Sequence, residues 1–248
     1  MPRPPVSVQL YTVRDALAAD AGGTLQRLAE LGFHCVEPFG LTEAADTLQP
    51  ALAAAGLTAP TSHATLLGGA HAAAFAAAAR VGVATVIDPY VPDERWTSRD
   101  DVTALAAELT EVARAAADHG LQVGYHNHWW ELESRIDGSP ALEVFADALG
   151  DGVVLELDTY WSAVGGVDPV ALLGRLGERV VALHIKDGPV NREIDQQLPA
   201  GSGAMPIAEI LAAAPHARPV IEFDAYGADL FDGIAESLAF VRTLGVEA

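Results

Sequence analysis

The chain has 248 residues, half of them apolar, and a formal net charge of −20. Such an acidic surface repels nucleic-acid phosphates and anionic membranes, which argues against both as partners. Cys35 is the only cysteine, so no disulfide can form within the chain. No apolar run nears the roughly 20 residues that span a bilayer, and the opening MPRPPVSVQL lacks the apolar core of a signal peptide. We therefore expect a cytoplasmic protein.

Short β-rich runs alternate along the chain with longer amphipathic runs that are rich in alanine and leucine. We predict strands over residues 6–10, 34–37, 58–62, 85–87, 122–126, 153–158, 180–184 and 219–223. We predict helices over residues 24–31, 42–55, 70–81, 99–119, 140–148, 169–176, 206–214 and 231–244. Pro140, Pro169 and Pro206 suit the first turn of a helix, which supports three of these starts.

The regular alternation of strands and helices predicts the fold class. It is typical of an α/β protein with a parallel sheet, and eight units in about 250 residues predict a single (β/α)8 TIM barrel that spans residues 1–248 as one domain. An open doubly wound sheet is the alternative, but no glycine-rich phosphate fingerprint follows the first strand. In a TIM barrel the functional groups lie at the C-terminal ends of the strands.

Polar residues end the last four predicted strands, and they come in pairs two residues apart. The pairs are His126 and His128, Glu156 and Asp158, His184 and Lys186, and Glu222 and Asp224. Because strand side chains alternate with period two, the members of a pair share a face. One such residue is usually a hydrogen-bonded loop anchor, but burying several carboxylates together without a cation is costly. Mixed histidine and carboxylate ligands therefore indicate one divalent ion: Mn²⁺, Zn²⁺, Fe²⁺ or Co²⁺.

Lysine and aromatic residues add to the candidate site. Lys186 is the only lysine among fourteen basic residues, which favours a specific task for it. The four tryptophans all follow predicted strands, and Tyr11 lies in a comparable place; such rings either pack against the C–H faces of a sugar or simply cover the barrel top. His63, at the end of the third strand, is either a substrate contact or a polar plug.

At these residues the chain resembles the xylose isomerase-like TIM barrel superfamily, in its sugar phosphate isomerase/epimerase branch. The resemblance covers nearly the whole chain, and the order and spacing of its motifs are more specific than any single motif. The motifs are SVQLYTVRD, LAELGFHCVEPFG, GYHNHWWE, LELDTYW, ALHIKDG and VIEFD.

The resemblance implies a metal site. Asp158, His184 and Glu222 fall on the last three of the four ligand positions that family members commonly use for one divalent metal. At the first position many relatives have a glutamate followed two residues later by histidine, whereas this chain has His126. We expect His126 to be the fourth ligand, with water or Glu131 as the alternative, and Mn²⁺ to be the ion, with Zn²⁺, Co²⁺ and Fe²⁺ as alternatives.

The resemblance also implies the chemistry. The expected activity is isomerisation or epimerisation of a sugar, keto-sugar or cyclitol through proton abstraction beside a carbonyl. The alternative is β-elimination by a dehydratase or lyase of the inosose dehydratase or 3-keto-sugar type, because some relatives with a histidine-rich fifth strand are of that kind. The expected catalytic residues are Glu222, Lys186 and His128. The expected substrate contacts are His63, Trp129, Trp161, Glu131 and Tyr11.

Three alternative interpretations have weaker support in the sequence. The apurinic endonuclease branch of the superfamily needs further histidine and aspartate ligands, but Trp161 stands where it has one, and the negative charge opposes DNA binding. An inactive sugar-binding barrel is opposed by the intact set of polar strand ends. Phosphorylated substrates are disfavoured because Arg14, Arg95 and Arg192 are the only basic residues near the strand ends besides Lys186. Self-association into a homo-oligomer stays open.

Overall fold

The barrel wall consists of parallel strands, and the computed structural model describes it within residues 3–247. One seven-stranded sheet has the order β1-β9-β8-β7-β4-β3-β2, and β5 pairs with β6 in a separate antiparallel hairpin. The strands are β1 (Ser7–Val8), β2 (Thr61–His63), β3 (Thr85–Asp88), β4 (Gln122–His126), β5 (Arg135–Ile136), β6 (Ser139–Pro140), β7 (Val153–Asp158), β8 (Val180–Ile185) and β9 (Arg218–Ile221).

The segment predicted as a strand over residues 34–37 closes the ring between β1 and β2. It does so through two isolated parallel bridges, Gln9 to Glu37 and Cys35 to Thr58, rather than as a regular strand. Its ladder is short because Pro38, the next residue, has no N–H to donate. With this segment as the eighth member, the expected (β/α)8 TIM barrel is confirmed.

Each of the eight predicted helices is present, with its ends within three residues of the prediction. Three short helices, α1, α6 and α8, were not predicted, because one or two turns are too short to show a helical period. No helix within residues 3–247 combines the length and apolarity that a membrane crossing requires. The helices are α1 (Arg14–Ala19), α2 (Ala21–Leu31), α3 (Leu41–Ala55), α4 (His71–Val81), α5 (Arg99–Ala117), α6 (Trp130–Glu133), α7 (Ala141–Ala148), α8 (Thr159–Val164), α9 (Pro169–Leu176), α10 (Ile207–Ala213) and α11 (Leu230–Thr243).

Alternation along the strands separates the hydrophobic core from the polar barrel interior. In β7, Leu155 and Leu157 belong to the core cluster, whereas Glu156 and Asp158 contact polar side chains of other strands. The parallel register places Asp158 of β7 beside His184 of β8. The period-two pattern thus delivers one polar layer to the C-terminal end of the barrel.

Asp187 organises the long loop between β8 and α10. Its carboxylate is buried and accepts hydrogen bonds of 2.8–3.0 Å from the backbone N–H groups of Gly188, Gly201, Gly203 and Met205. The chain approaches so closely at Gly203 that a Cβ there would collide with this carboxylate. One anionic side chain therefore holds a loop that borders the barrel mouth.

We predict that Asp187→Ala lowers the free energy of unfolding by at least about 3 kcal/mol, because it leaves several backbone N–H groups without their charged acceptor. Urea denaturation followed by circular dichroism measures the change. Asp195→Ala, an exposed aspartate of the same loop, is the matched control and should change stability by less than about 0.5 kcal/mol. Equal losses in the two variants would contradict this role of Asp187.

Candidate active site

The four side chains that the sequence analysis expects as metal ligands meet at the C-terminal end of the barrel. His126, Asp158, His184 and Glu222 each offer one ligand atom, and these atoms all lie within 4.8 Å of one another. All four residues are buried. We call them the outer group. They come from β4, β7, β8 and the residue that follows β9, so four successive strand ends supply one donor each.

Lys186 places an ammonium among the carboxylates of this region. Its Nζ lies 2.9 Å from Asp158 Oδ2, 2.7 Å from Glu222 Oε2 and 2.8 Å from Asp224 Oδ2. Burial lowers the pKa of Lys186, but these three carboxylates outweigh it and hold the pKa well above its ordinary value. The side chain is therefore a fixed positive charge at the floor of the cavity.

A second cluster lies against the first and consists of His63, His126, Glu156 and His184. Glu156 Oε2 is its centre, at 2.6 Å from His63 Nε2, 3.2 Å from His126 Nδ1 and 3.1 Å from His184 Nε2. Glu37 adjoins it, with Oε1 at 2.8 Å from His184 Nε2 and 3.3 Å from His63 Nε2. We call these five residues the inner group.

The inner group contains two buried carboxylates, Glu37 and Glu156, that are not among the site residues predicted from the sequence. The strand pattern pairs Glu156 with Asp158 on one face but gives it no role. A signal for Glu37 was present, because it ends the predicted strand over residues 34–37 just as the other candidates end theirs. Gln9 and the hydroxyl of Thr61 donate hydrogen bonds to its carboxylate and fix its orientation.

Burial and neighbouring charges set the protonation of the outer group. Burial raises the pKa of Asp158 to about 6, although Lys186 and His184 oppose the rise. Burial lowers the pKa of His126 well below its ordinary value and keeps the imidazole neutral, which is the form that binds metals. Burial also lowers the pKa of His184, but Glu156 and Glu222 outweigh it and raise the pKa well above the ordinary value.

A cavity of about 290 Å³ opens above the outer group. Its floor includes His126, Lys186 and Glu222, and its rim includes the aromatic rings of Tyr11 and Tyr90. Tyr11 meets Phe39 edge to face at 5.3 Å between ring centroids. A small cavity with a polar floor and an aromatic rim suits a molecule of monosaccharide size.

His128 projects its ring into this cavity and is held by aromatic neighbours. The imidazole stacks on Trp130, with 4.3 Å between ring centroids and an interplanar angle of 7°. Burial, reinforced by the positive charge of Lys186, lowers the pKa of His128 to about 3. The imidazole is thus neutral near pH 7.

The structure places the expected substrate contacts in two different environments. Tyr11 and His63 line the cavity, whereas Trp129, Trp161 and Glu131 are not among its lining residues. The contact role of those three stays a prediction, and the lining of this cavity does not support it.

Tertiary contacts explain where these three side chains go. Glu131 is fully buried, accepts hydrogen bonds from the Tyr125 hydroxyl at 2.7 Å and from the backbone N–H of His128 at 2.9 Å, and so supports the loop from below. It also lies outside the outer group. Trp161 is buried in the barrel top, and Trp129 packs beneath the guanidinium of Arg192 at 3.5 Å.

Fold and site together define a barrel with a histidine and carboxylate centre that can hold a metal beneath a sugar-sized cavity. The chain belongs to the xylose isomerase-like TIM barrel family, whose sequence model matches residues 25–244. Its structure is similar to that of a sugar phosphate isomerase/epimerase from Parabacteroides distasonis, with a TM-score of 0.83 and 24% identity over 96% of this chain and 93% of that one.

Two further comparisons concern metal and chemistry. The crystal structure of the IOLI protein with a bound zinc atom has a TM-score of 0.67 and 12% identity, over 97% of this chain and 98% of that one. Inosose dehydratase from Clostridium beijerinckii is 29% identical over 98 residues, which cover 40% of this chain and 30% of that enzyme. The chain aligns with less than a third of the length of the curated relatives that it matches.

The lowered pKa of His128 makes a prediction about stability and pH. The unfolded chain takes up a proton at this residue near pH 6.5, whereas the folded chain does so only near pH 3. Stability is therefore lost as the pH falls below about 6.5, and His128→Gln removes that loss. The free energy of unfolding of the variant minus that of the wild type should be about 2 kcal/mol higher at pH 4.5 than at pH 7.5.

Urea unfolding of both proteins between pH 4.5 and 7.5 measures this shift. Tyr90→Phe, which removes only a hydroxyl beside the His128 ring, is the control, and its difference from the wild type should stay constant over this range. A constant difference for His128→Gln would show that the folded protein protonates this imidazole readily.

Proposed function

We propose that the protein is a divalent-metal-dependent isomerase or epimerase that acts on a sugar, keto-sugar or cyclitol by abstracting a proton beside a carbonyl. The observation that carries this proposal is the outer group, in which two imidazoles and two carboxylates meet and which reaches a small cavity through His126 and Glu222. Membership of a family with sugar isomerases and epimerases among its solved structures supports it.

The donor set of the outer group fits a divalent transition metal. Two imidazoles and two carboxylates suit Mn²⁺, which is the ion we expect first, and they also suit Zn²⁺, Co²⁺ and Fe²⁺. His126, Asp158, His184 and Glu222 would hold the ion. A bound ion there supplies Lewis-acid polarisation of a substrate carbonyl.

The cavity residues supply the proton transfers and a fixed charge. His128 faces the cavity with a neutral imidazole near pH 7 and is one base candidate, a weak one because its pKa of about 3 lies far below that pH. Burial raises the pKa of Glu222, but His184 and Lys186 outweigh it and hold the pKa well below its ordinary value, so this carboxylate stays ionised and is the second base candidate. The ammonium of Lys186 stabilises the negative charge that develops on the substrate oxygen.

β-Elimination is the second candidate reaction. It begins with the same proton abstraction and then expels a β-hydroxyl, which needs a proton donor in the cavity. The donor candidates are the Lys186 ammonium and His128 once it has taken the proton from the substrate. The local similarity to inosose dehydratase favours this candidate.

The charges around the cavity favour an unphosphorylated substrate. Lys186 is the only basic residue other than histidine among the lining residues, and three carboxylates already engage it. Arg14 lies over the Tyr11 ring and donates to its backbone carbonyl, while Arg192 pairs with Glu133. Neither arginine is among the residues that line the cavity.

We predict that solvent deuterium enters the substrate carbon beside the carbonyl when the protein is incubated in D₂O with Mn²⁺ and a panel of keto-sugars and inososes. Proton NMR detects the exchange, and the product separates epimerisation or isomerisation from elimination. Turnover of a substrate without exchange would contradict proton abstraction.

Asp158→Asn should weaken Mn²⁺ binding at least about tenfold and abolish the exchange, because it removes an anionic ligand of the outer group. Mn²⁺ binding by isothermal titration and the NMR exchange assay are the two measurements. Asp151→Asn makes the same change at an exposed position and should leave both unchanged. Full metal binding by the Asp158 variant would sink the assignment of this ligand.

We expect the phosphate ester of any accepted substrate to have a kcat/KM at least about tenfold lower than the free compound, because the lining offers its charge two carboxylates and a lysine that they already engage. Steady-state kinetics on the pair measures the ratio. An equal or higher kcat/KM for the ester would place a phosphate site at the cavity rim.

A further inference from the structure

The outer and inner groups share two histidines, and each histidine turns a different ring nitrogen towards each group. His184 places Nδ1 at 2.6 Å from Glu222 in the outer group and Nε2 at 3.1 Å from Glu156 in the inner group. His126 places Nε2 at 3.9 Å from Asp158 in the outer group and Nδ1 at 3.2 Å from Glu156. The two groups thus present two adjacent positions for a cation.

An ion in one group excludes an ion in the other, because both would need the same two histidines. A neutral imidazole has one nitrogen with a free lone pair, and its second nitrogen carries a proton. If His126 and His184 bind an ion in the outer group, their remaining N–H groups donate to the inner carboxylates. If they bind an ion in the inner group, the outer group loses both nitrogen ligands.

Two features indicate that the inner group is built for a cation of its own. Among residues 3–247, the ion-pair partners of Glu37 and Glu156 are histidines alone, whereas the outer carboxylates have Lys186. In addition, Glu156 Oε1 and His126 Nδ1 are buried in this cluster without a hydrogen-bond partner within the same residues. Buried carboxylates with an unsatisfied oxygen are costly unless a cation compensates them.

We propose that the inner group is a zinc site and that zinc bound there excludes the ion of the outer group. Three imidazole nitrogens and a carboxylate form a donor set that zinc favours, and tetrahedral zinc needs no more than four ligands. The outer group, with half oxygen donors, suits Mn²⁺. The inference rests on the proposed function for the identity of the outer ion.

The position of the inner group determines what zinc does there. His126, Glu156 and His184 are at most 3% exposed and His63 is 6% exposed, so the inner position lies beneath the cavity, which His63 and His126 border. Zinc in the inner group occupies both histidines that the outer ion needs and lies away from Lys186 and Asp158. It therefore switches the protein to a form without an ion at the cavity floor.

The direct test is a crystal structure of the whole protein soaked with Zn²⁺, with anomalous data collected at the zinc edge. We expect one peak at about 2.0–2.2 Å from His63 Nε2, His126 Nδ1, His184 Nε2 and a Glu156 oxygen. A peak between Asp158 and Glu222 instead would overturn the inner site. Elemental analysis after exposure to both metals should give one ion per chain, and two ions would overturn the mutual exclusion.

Two variants separate the groups in solution, because His63 belongs only to the inner group and Asp158 only to the outer group. His63→Ala should weaken Zn²⁺ binding at least about tenfold and change Mn²⁺ binding by less than roughly threefold. Asp158→Asn should do the reverse. Titration calorimetry gives both affinities, and circular dichroism verifies folding. Parallel losses of both metals in each folded variant would overturn the proposal.

The same measurements distinguish this inference from the proposed function. If zinc binds in the inner group and no Mn²⁺ binds in the outer group, the metal assignment of the proposed function is wrong and the inner site stands. Mn²⁺ and zinc that both bind in the outer group would leave the proposed function standing and remove the inner site.

Discussion

The burial of several carboxylates and imidazoles at one point of the barrel is the constraint on which the rest of this structure depends. Glu37, Glu156, Asp158 and Glu222 all lie within the C-terminal end of the sheet, where isolated charges would be very unfavourable. Mutual pairing with histidines and with Lys186 compensates them. The strand register must therefore stay fixed, because a slip of one residue would turn these charges into the core.

Acidic side chains at the strand ends also determine the paths of the surrounding loops. Asp158 caps α8 by accepting from the Trp161 N–H, and Asp187 accepts from four backbone N–H groups of the following loop. Asp88 does the same for Leu66, Leu67 and Tyr90. Carboxylates at the strand ends thus hold the loops around the cavity, and one of them, Asp158, also belongs to the outer group.

Two histidines, His126 and His184, belong to both the outer and the inner group. His126 and His184 face outward with one nitrogen and inward with the other, so the inner carboxylates orient them whenever an ion lies in the outer group. Glu156 is central to this arrangement because one of its oxygens meets three imidazoles. A carboxylate beneath the outer group is thus placed to orient both imidazoles.

Local pattern by itself determined the barrel, its strand ends and the convergence of paired polar residues at one end of it, because strand periodicity and parallel alternation are properties of neighbouring residues. The resemblance to the family selected the outer group from those pairs. Only the tertiary structure decided which side chains face the cavity. Glu131, Trp129 and Trp161 follow strands as the cavity residues do, yet long-range contacts with Tyr125, Arg192 and the barrel top draw them away from the lining. Glu37 joined the centre because closure of the ring brings it opposite His184, and no local pattern encodes that distance.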